Sequence, residues 1–178
     1  MRAIIIAVTA LAGCASTVAV PDKLKPAGGE SLALIVPAKG DQIYQCRGGK
    51  WAFVAPEADL FDGAGKKIGR HYAGPHWESF DGSRILGAVK ARADAPYAGD
   101  IPWLLLSAKS VGAEGAFSKV TSIQRVATAG GQAPVEPCTQ EGMRARVPYT
   151  ADYYFLRVLD GNAGALTASE FPKEKKRK

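Results

Sequence analysis

The feature that most limits the fold of this chain is its punctuation. Short β-type runs, cut apart by glycine and proline, repeat from Ser31 to Leu159. SLALIV at 31–36 is followed by Pro37 and Gly40. QIYQCR at 42–47 joins KWAFV at 50–54 through Gly48-Gly49, a hairpin pattern. Asp62-Gly63-Ala64-Gly65 separates 58–61 from 67–72, and Asp81-Gly82 separates 77–80 from the run 84–93. WLLLSAKSV (103–111), VTSIQRVAT (120–128) and ADYYFLRVL (151–159) complete the series. Beyond the N-terminal stretch, no long window places apolar residues at the 3.6-residue period of a helix. The pattern predicts an all-β fold, an antiparallel sandwich or barrel of about nine short strands. With 178 residues and 47% hydrophobic content there is material for one core, and 30–160 reads as a single β domain.

The first residues obey a different logic. Met1-Arg2 supplies a positive start, and Ala3 to Ala10 (AIIIAVTA) is apolar but too short to span a bilayer. Leu11-Ala12-Gly13-Cys14 then reads as a lipobox, an aliphatic residue and two small ones before a cysteine whose thiol takes the lipid. The sequence therefore predicts a signal peptide over 1–13, lipidation at Cys14 and a tether over 14–29. The partner implied is a membrane, reached through an N-terminal lipid anchor of several acyl chains. No aspartate follows Cys14, and by resemblance to enterobacterial sorting this directs the protein to the outer membrane, facing the periplasm.

Two cysteines remain, Cys46 and Cys138, 92 positions apart. In an oxidising compartment such an even pair reads as a disulfide, and the spacing fits neither a CxxC redox motif nor a zinc knuckle. The formal net charge of +6 is concentrated at the ends of the chain. Lys173 to Lys178 carries most of it and Arg2 adds more, so the body is close to neutral. That distribution argues against nucleic acid as a partner, and 161–178 reads as a disordered basic tail.

Several blocks read together as one family pattern: Gln42-Ile43-Tyr44-Gln45-Cys46, Ala55-Pro56-Glu57-Ala58, Ile68-Gly69-Arg70-His71-Tyr72-Ala73-Gly74-Pro75 and Asp81-Gly82-Ser83. Further on come Ile101-Pro102-Trp103-Leu104-Leu105-Leu106, Thr121-Ser122-Ile123-Gln124-Arg125-Val126 and Val147-Pro148-Tyr149-Thr150-Ala151-Asp152-Tyr153-Tyr154-Phe155. From about Val20 to Phe155 the chain resembles the domain of unknown function 3455 family of exported bacterial and fungal proteins. The resemblance implies export and leaves the activity open. A dehydrogenase label carried by some fungal members is not transferred. The chain has no GxGxxG after a strand and no strand–helix–strand unit.

Candidate ligand-binding residues gather around one turn. His71 and His76 flank Ala73-Gly74-Pro75, and Trp77, Glu78 and Asp81 follow. Trp103 and Arg125 complete the set, Arg125 as either an ion-pair partner or an anion binder. Tryptophan rings beside polar groups suit flat ligands or sugars, and they serve equally as core. His71 and His76 with nearby carboxylates suit a divalent metal, although their spacing matches no helical zinc motif. Ser83 and Ser122 lie in no nucleophile motif, so no catalytic residue and no cofactor are assigned. The reading is a non-enzymatic envelope lipoprotein binding a small molecule, glycan or envelope protein. A metal-binding protein or metal-dependent enzyme centred on His71 and His76 is the alternative.

Overall fold

The alternating runs pair into strands that close on themselves. They are β1 (Glu30–Arg47), β2 (Lys50–Phe61), β3 (Lys67–Tyr72), β4 (His76–Ser79), β5 (Arg84–Ala93), β6 (Trp103–Ser110), β7 (Ser122–Gly130) and β8 (Arg144–Val158). Each pairs antiparallel with the next. β8 returns to β1 along a seam from Glu30↔Val158 to Gln45↔Arg144, giving an up-and-down barrel. The computed structural model describes residues 18–26 and 28–159. The expected signal peptide, the lipidation site Cys14 and the basic tail lie outside the described residues. Among the described residues no helix is long and apolar enough to cross a membrane.

The barrel has eight strands where the sequence predicts about nine, because neighbouring runs fuse. Runs 31–36 and 42–47 are both part of β1, and 50–54 and 58–61 are both part of β2. Pro37 does not end its strand. β1 meets β2 only from Ala38↔Leu60 onward, so Pro37 has β8 alone beside it, where a missing N–H is tolerated. Gly40 is not a turn either. A Cβ there would lie 2.1 Å from the Glu57 carbonyl oxygen, so glycine lets β1 and β2 approach closely.

Period-two alternation sorts the side chains. On β7, Ile123 joins the core inside the barrel, while Val126 belongs to a second apolar cluster outside it. On β8, Tyr149, Ala151, Tyr153 and Phe155 face inward and Tyr154 and Leu156 outward. On β6, Leu104 and Leu106 face inward and Trp103 and Leu105 outward. The continuous apolar runs WLLL and YYFL thus serve two cores at once.

The outer core is covered by the N-terminal segment. A single 3₁₀ turn, Asp22–Leu24, seats Leu24 at 0% exposure against the outside of the barrel. The Leu24 carbonyl accepts a hydrogen bond from Gln124 Nε2 at 2.7 Å, and Val18 N–H donates to the Tyr154 hydroxyl. Of the expected tether over 14–29, residues 18–26 are a docked strap, held because they bury the apolar outer face of β5–β8.

One end of the barrel is plugged. Phe117, from the β6–β7 connection, is fully buried and packs edge-on against Phe155, ring centres 4.9 Å apart. The Asp81 carboxylate fixes that plug by accepting from the N–H and hydroxyl of Ser83 and from the Ala116 N–H. Ser83 Oγ in turn accepts from the Phe117 N–H at 3.1 Å. These hydrogen bonds hold the Asp81 carboxyl well below the usual carboxylate range. At the other end, Cys46 and Cys138 form a disulfide with a Cα–Cα distance of 5.7 Å. It ties the β7–β8 connection to the β1–β2 hairpin. Trp51 Nε1 reinforces it by donating to the Glu136 carbonyl, and Gly48 N–H by donating to Glu141.

Candidate ligand-binding site

Above the plugged floor the barrel interior opens into a cavity of about 610 Å³, walled by residues from β1 through β8. An eight-stranded barrel is wide enough to be filled by side chains or to hold one small ligand. Here the lower half is filled by Leu60, Ile85, Phe117, Ile123 and Phe155, and the cavity lies toward the mouth, floored by the buried side chains of His71, Trp77, Leu106 and Tyr153. The mouth lies at the end that carries the β1–β2, β3–β4, β5–β6 and β7–β8 connections. Phe53 and Val89 stand on its rim, more than half exposed.

The wall is built around three packed rings, two of them stacked. His71, on β3, lies opposite Trp77, on β4, in register, and their rings stack at 4.2 Å. Tyr153 meets both edge-on, at 5.1 Å from His71 and 5.3 Å from Trp77. His71 is buried, and its Nδ1 lies 2.8 Å from the His76 carbonyl oxygen. A carbonyl only accepts, so Nδ1 carries the proton and the lone pair of the neutral ring sits on Nε2. Burial drives the His71 pKa down to about 3; the hydrogen bond to the His76 carbonyl opposes it, and the charge of Arg125 adds to the fall. The ring is therefore a neutral acceptor at any pH near 7.

The other polar groups of the wall are donors. Arg125 faces inward from β7, paired in register with Leu104 and Tyr153. Its Nε and Nη2 both donate to the Pro102 carbonyl, at 3.1 and 2.7 Å, which fixes the plane of the guanidinium. Its charge is felt at Tyr44, Tyr149 and Tyr153, where it opposes the upward push of burial on the phenols. Trp77 Nε1 and Gln42 Nε2 are buried without a hydrogen-bond partner among the described residues. An unpaired buried donor costs roughly 1–3 kcal/mol, so two in one cavity need an explanation.

The structure divides the residues expected from sequence. His71, Trp77 and Arg125 come together in the cavity wall. Arg125 has no acidic partner among the described residues, so the ion-pair reading gives way. Trp103 is corrected: it lies under the N-terminal strap, because its outward parity on β6 places it in the outer core. Asp81 secures the floor plug. Glu78 accepts from the Tyr72 hydroxyl and lies in a separate surface groove outside the barrel, where Arg146 bridges Asp41 and Glu57. His76 opens β4, just after the turn, its Nδ1–H donating to the Ala73 carbonyl at 2.7 Å. The two histidines thus each spend Nδ1 on a backbone carbonyl. Among the described residues no group of three His, Cys, Asp or Glu is placed to hold a metal.

Gln42 and Tyr153 were not singled out from sequence. For Gln42 the signal was parity: it shares a face of β1 with Tyr44, and a glutamine at an inward position of a strand is out of place in an apolar core. Tyr44 is locked by its hydroxyl, which donates to the Gly131 carbonyl at 2.7 Å.

No curated protein and no solved structure matches the chain. One family does. The sequence profile described as Protein of unknown function (DUF3455) matches residues 26–157, which span the barrel from just before β1 almost to the end of β8. The chain belongs to the domain of unknown function 3455 family.

Proposed function

We propose that the protein is an exported, lipid-anchored binding protein whose barrel receives one small molecule in its cavity. The observation that carries this reading is the cavity at the mouth of the barrel, about 610 Å³, with two buried donors that have no partner among the described residues. That volume lies within the range of small-molecule sites, and the mix of apolar wall and few polar groups is typical of them. The small-molecule reading is favoured over a glycan platform by the placement of the tryptophans. Trp77 is 1% and Trp103 7% exposed, so neither offers an open ring face to a sugar. The anchor rests on the lipobox ending at Cys14, and the envelope location follows from it.

The cavity is tested by titrating the full-length protein with the neutral fluorophore N-phenyl-1-naphthylamine. Saturable one-to-one binding is expected, and Leu104→Trp, which projects an indole into the cavity, abolishes it while the β circular dichroism is retained. Absence of saturable binding, or binding indifferent to Leu104→Trp, overturns the reading. The anchor is tested separately, by whether Cys14→Ser releases the protein from membranes into the soluble fraction. A Cys14→Ser protein that still partitions into detergent overturns the anchor.

A further inference from the structure

The cavity has a sign. Its lining contains two arginines, Arg125 in the wall and Arg92 toward the mouth, and neither aspartate nor glutamate. Every salt bridge among the described residues lies elsewhere, between Lys25 and Asp22, Lys67 and Asp59, and Arg146 with Asp41 and Glu57. Arg125 is thus a partly buried cation held in place by a neutral carbonyl. A cation withdrawn from water without a counter-charge is costly, and a fold tolerates it where a ligand supplies the charge.

The neutral groups point the same way. Gln42 Nε2 and Trp77 Nε1 are buried donors without acceptors among the described residues, and they share the cavity with Arg125. His71 is neutral and adds no positive charge. Beside and below Arg125 the wall is apolar, with Leu104 opposite it in register and Leu106 one step deeper. Resting on the binding reading above, we propose that the ligand is a monocarboxylate with an apolar body, its carboxylate seated on Arg125. A carboxylate offers two oxygens and about four acceptor positions, enough for Arg125 and for the unpaired donors beside it. Its single charge matches the one guanidinium set in the wall, and its body fills the apolar part of the cavity.

A matched pair of probes separates this proposal from the reading it rests on. 1-Naphthoate and 1-naphthalenemethanol have the same ring system and differ in the charged group. Calorimetric titration of the full-length protein at neutral pH is expected to give at least tenfold tighter binding of the acid. Arg125→Gln is expected to erase that difference. Equal affinity of acid and alcohol for the unaltered protein overturns the carboxylate proposal and leaves the binding reading standing. Failure of both probes, joined to failure of the neutral fluorophore, overturns both. An acid preference that survives in Arg125→Gln overturns the role of Arg125. If that variant does not fold, the comparison of the two probes on the unaltered protein still decides whether the cavity selects the anion.

Discussion

The neutrality of His71 makes a prediction whose size follows from the structure. The ring is sandwiched by Trp77 and Tyr153, and burial lowers its pKa from 6.5 to about 3. As the pH falls below 6.5 the unfolded chain takes up a proton that the fold refuses. The stability linked to this residue is therefore complete above that pH and is lost progressively on acidification toward pH 3. Between pH 7 and pH 5 the loss comes to about 2 kcal/mol at 25 °C. His71→Asn is the control, since the asparagine amide can still donate to the His76 carbonyl but does not titrate. The asparagine leaves a small void, which lowers stability at both pH values and cancels in the difference. The assay is urea denaturation of both proteins at pH 7 and pH 5, followed by circular dichroism. The unaltered protein is expected to lose about 2 kcal/mol more than the variant over that interval. Equal losses would refute the account of His71 as a ring kept uncharged by burial.

Two further predictions concern what holds the barrel. Leu24→Ala removes the fully buried side chain of the strap, for which about 3 kcal/mol is expected, and the emission of Trp103 beneath it should shift to the red. An unchanged spectrum and urea midpoint would mean that the strap does not cover the outer core in solution. Replacing both Cys46 and Cys138 by alanine opens a loop of 92 residues, and the chain-entropy relation gives about 4–5 kcal/mol. A loss below about 1 kcal/mol in urea denaturation would show that the β1–β8 seam already confines the unfolded chain.

The all-β class and most turns were legible because alternation and glycine punctuation act locally, within a hairpin. The pairing of Cys46 with Cys138 was legible by count. What escaped were features set by partners distant in sequence. Pro37 and Gly40 read as a break, and only the place where β2 begins to pair with β1 makes them compatible with one long strand. Trp77 and Trp103 are equivalent as letters. One points into the barrel and the other under the strap, a difference decided by parity and by a segment some 80 residues away in the chain. Arg125 was visible, but the absence of a carboxylate opposite it is a property of the assembled wall. The apolar runs WLLL and YYFL did carry a signal that was not used: in an antiparallel sheet with one wet face, such runs require something to cover the outside.

The plug at Phe117 has a consequence for traffic. A barrel open at both ends is a conduit, and its contents can be passed from one side to the other. With one end sealed by Phe117, Ser83 and Asp81, entry and exit use the same door. On the binding reading proposed above, a molecule held in the cavity leaves toward the direction it came from, past the rim that carries Phe53 and Val89.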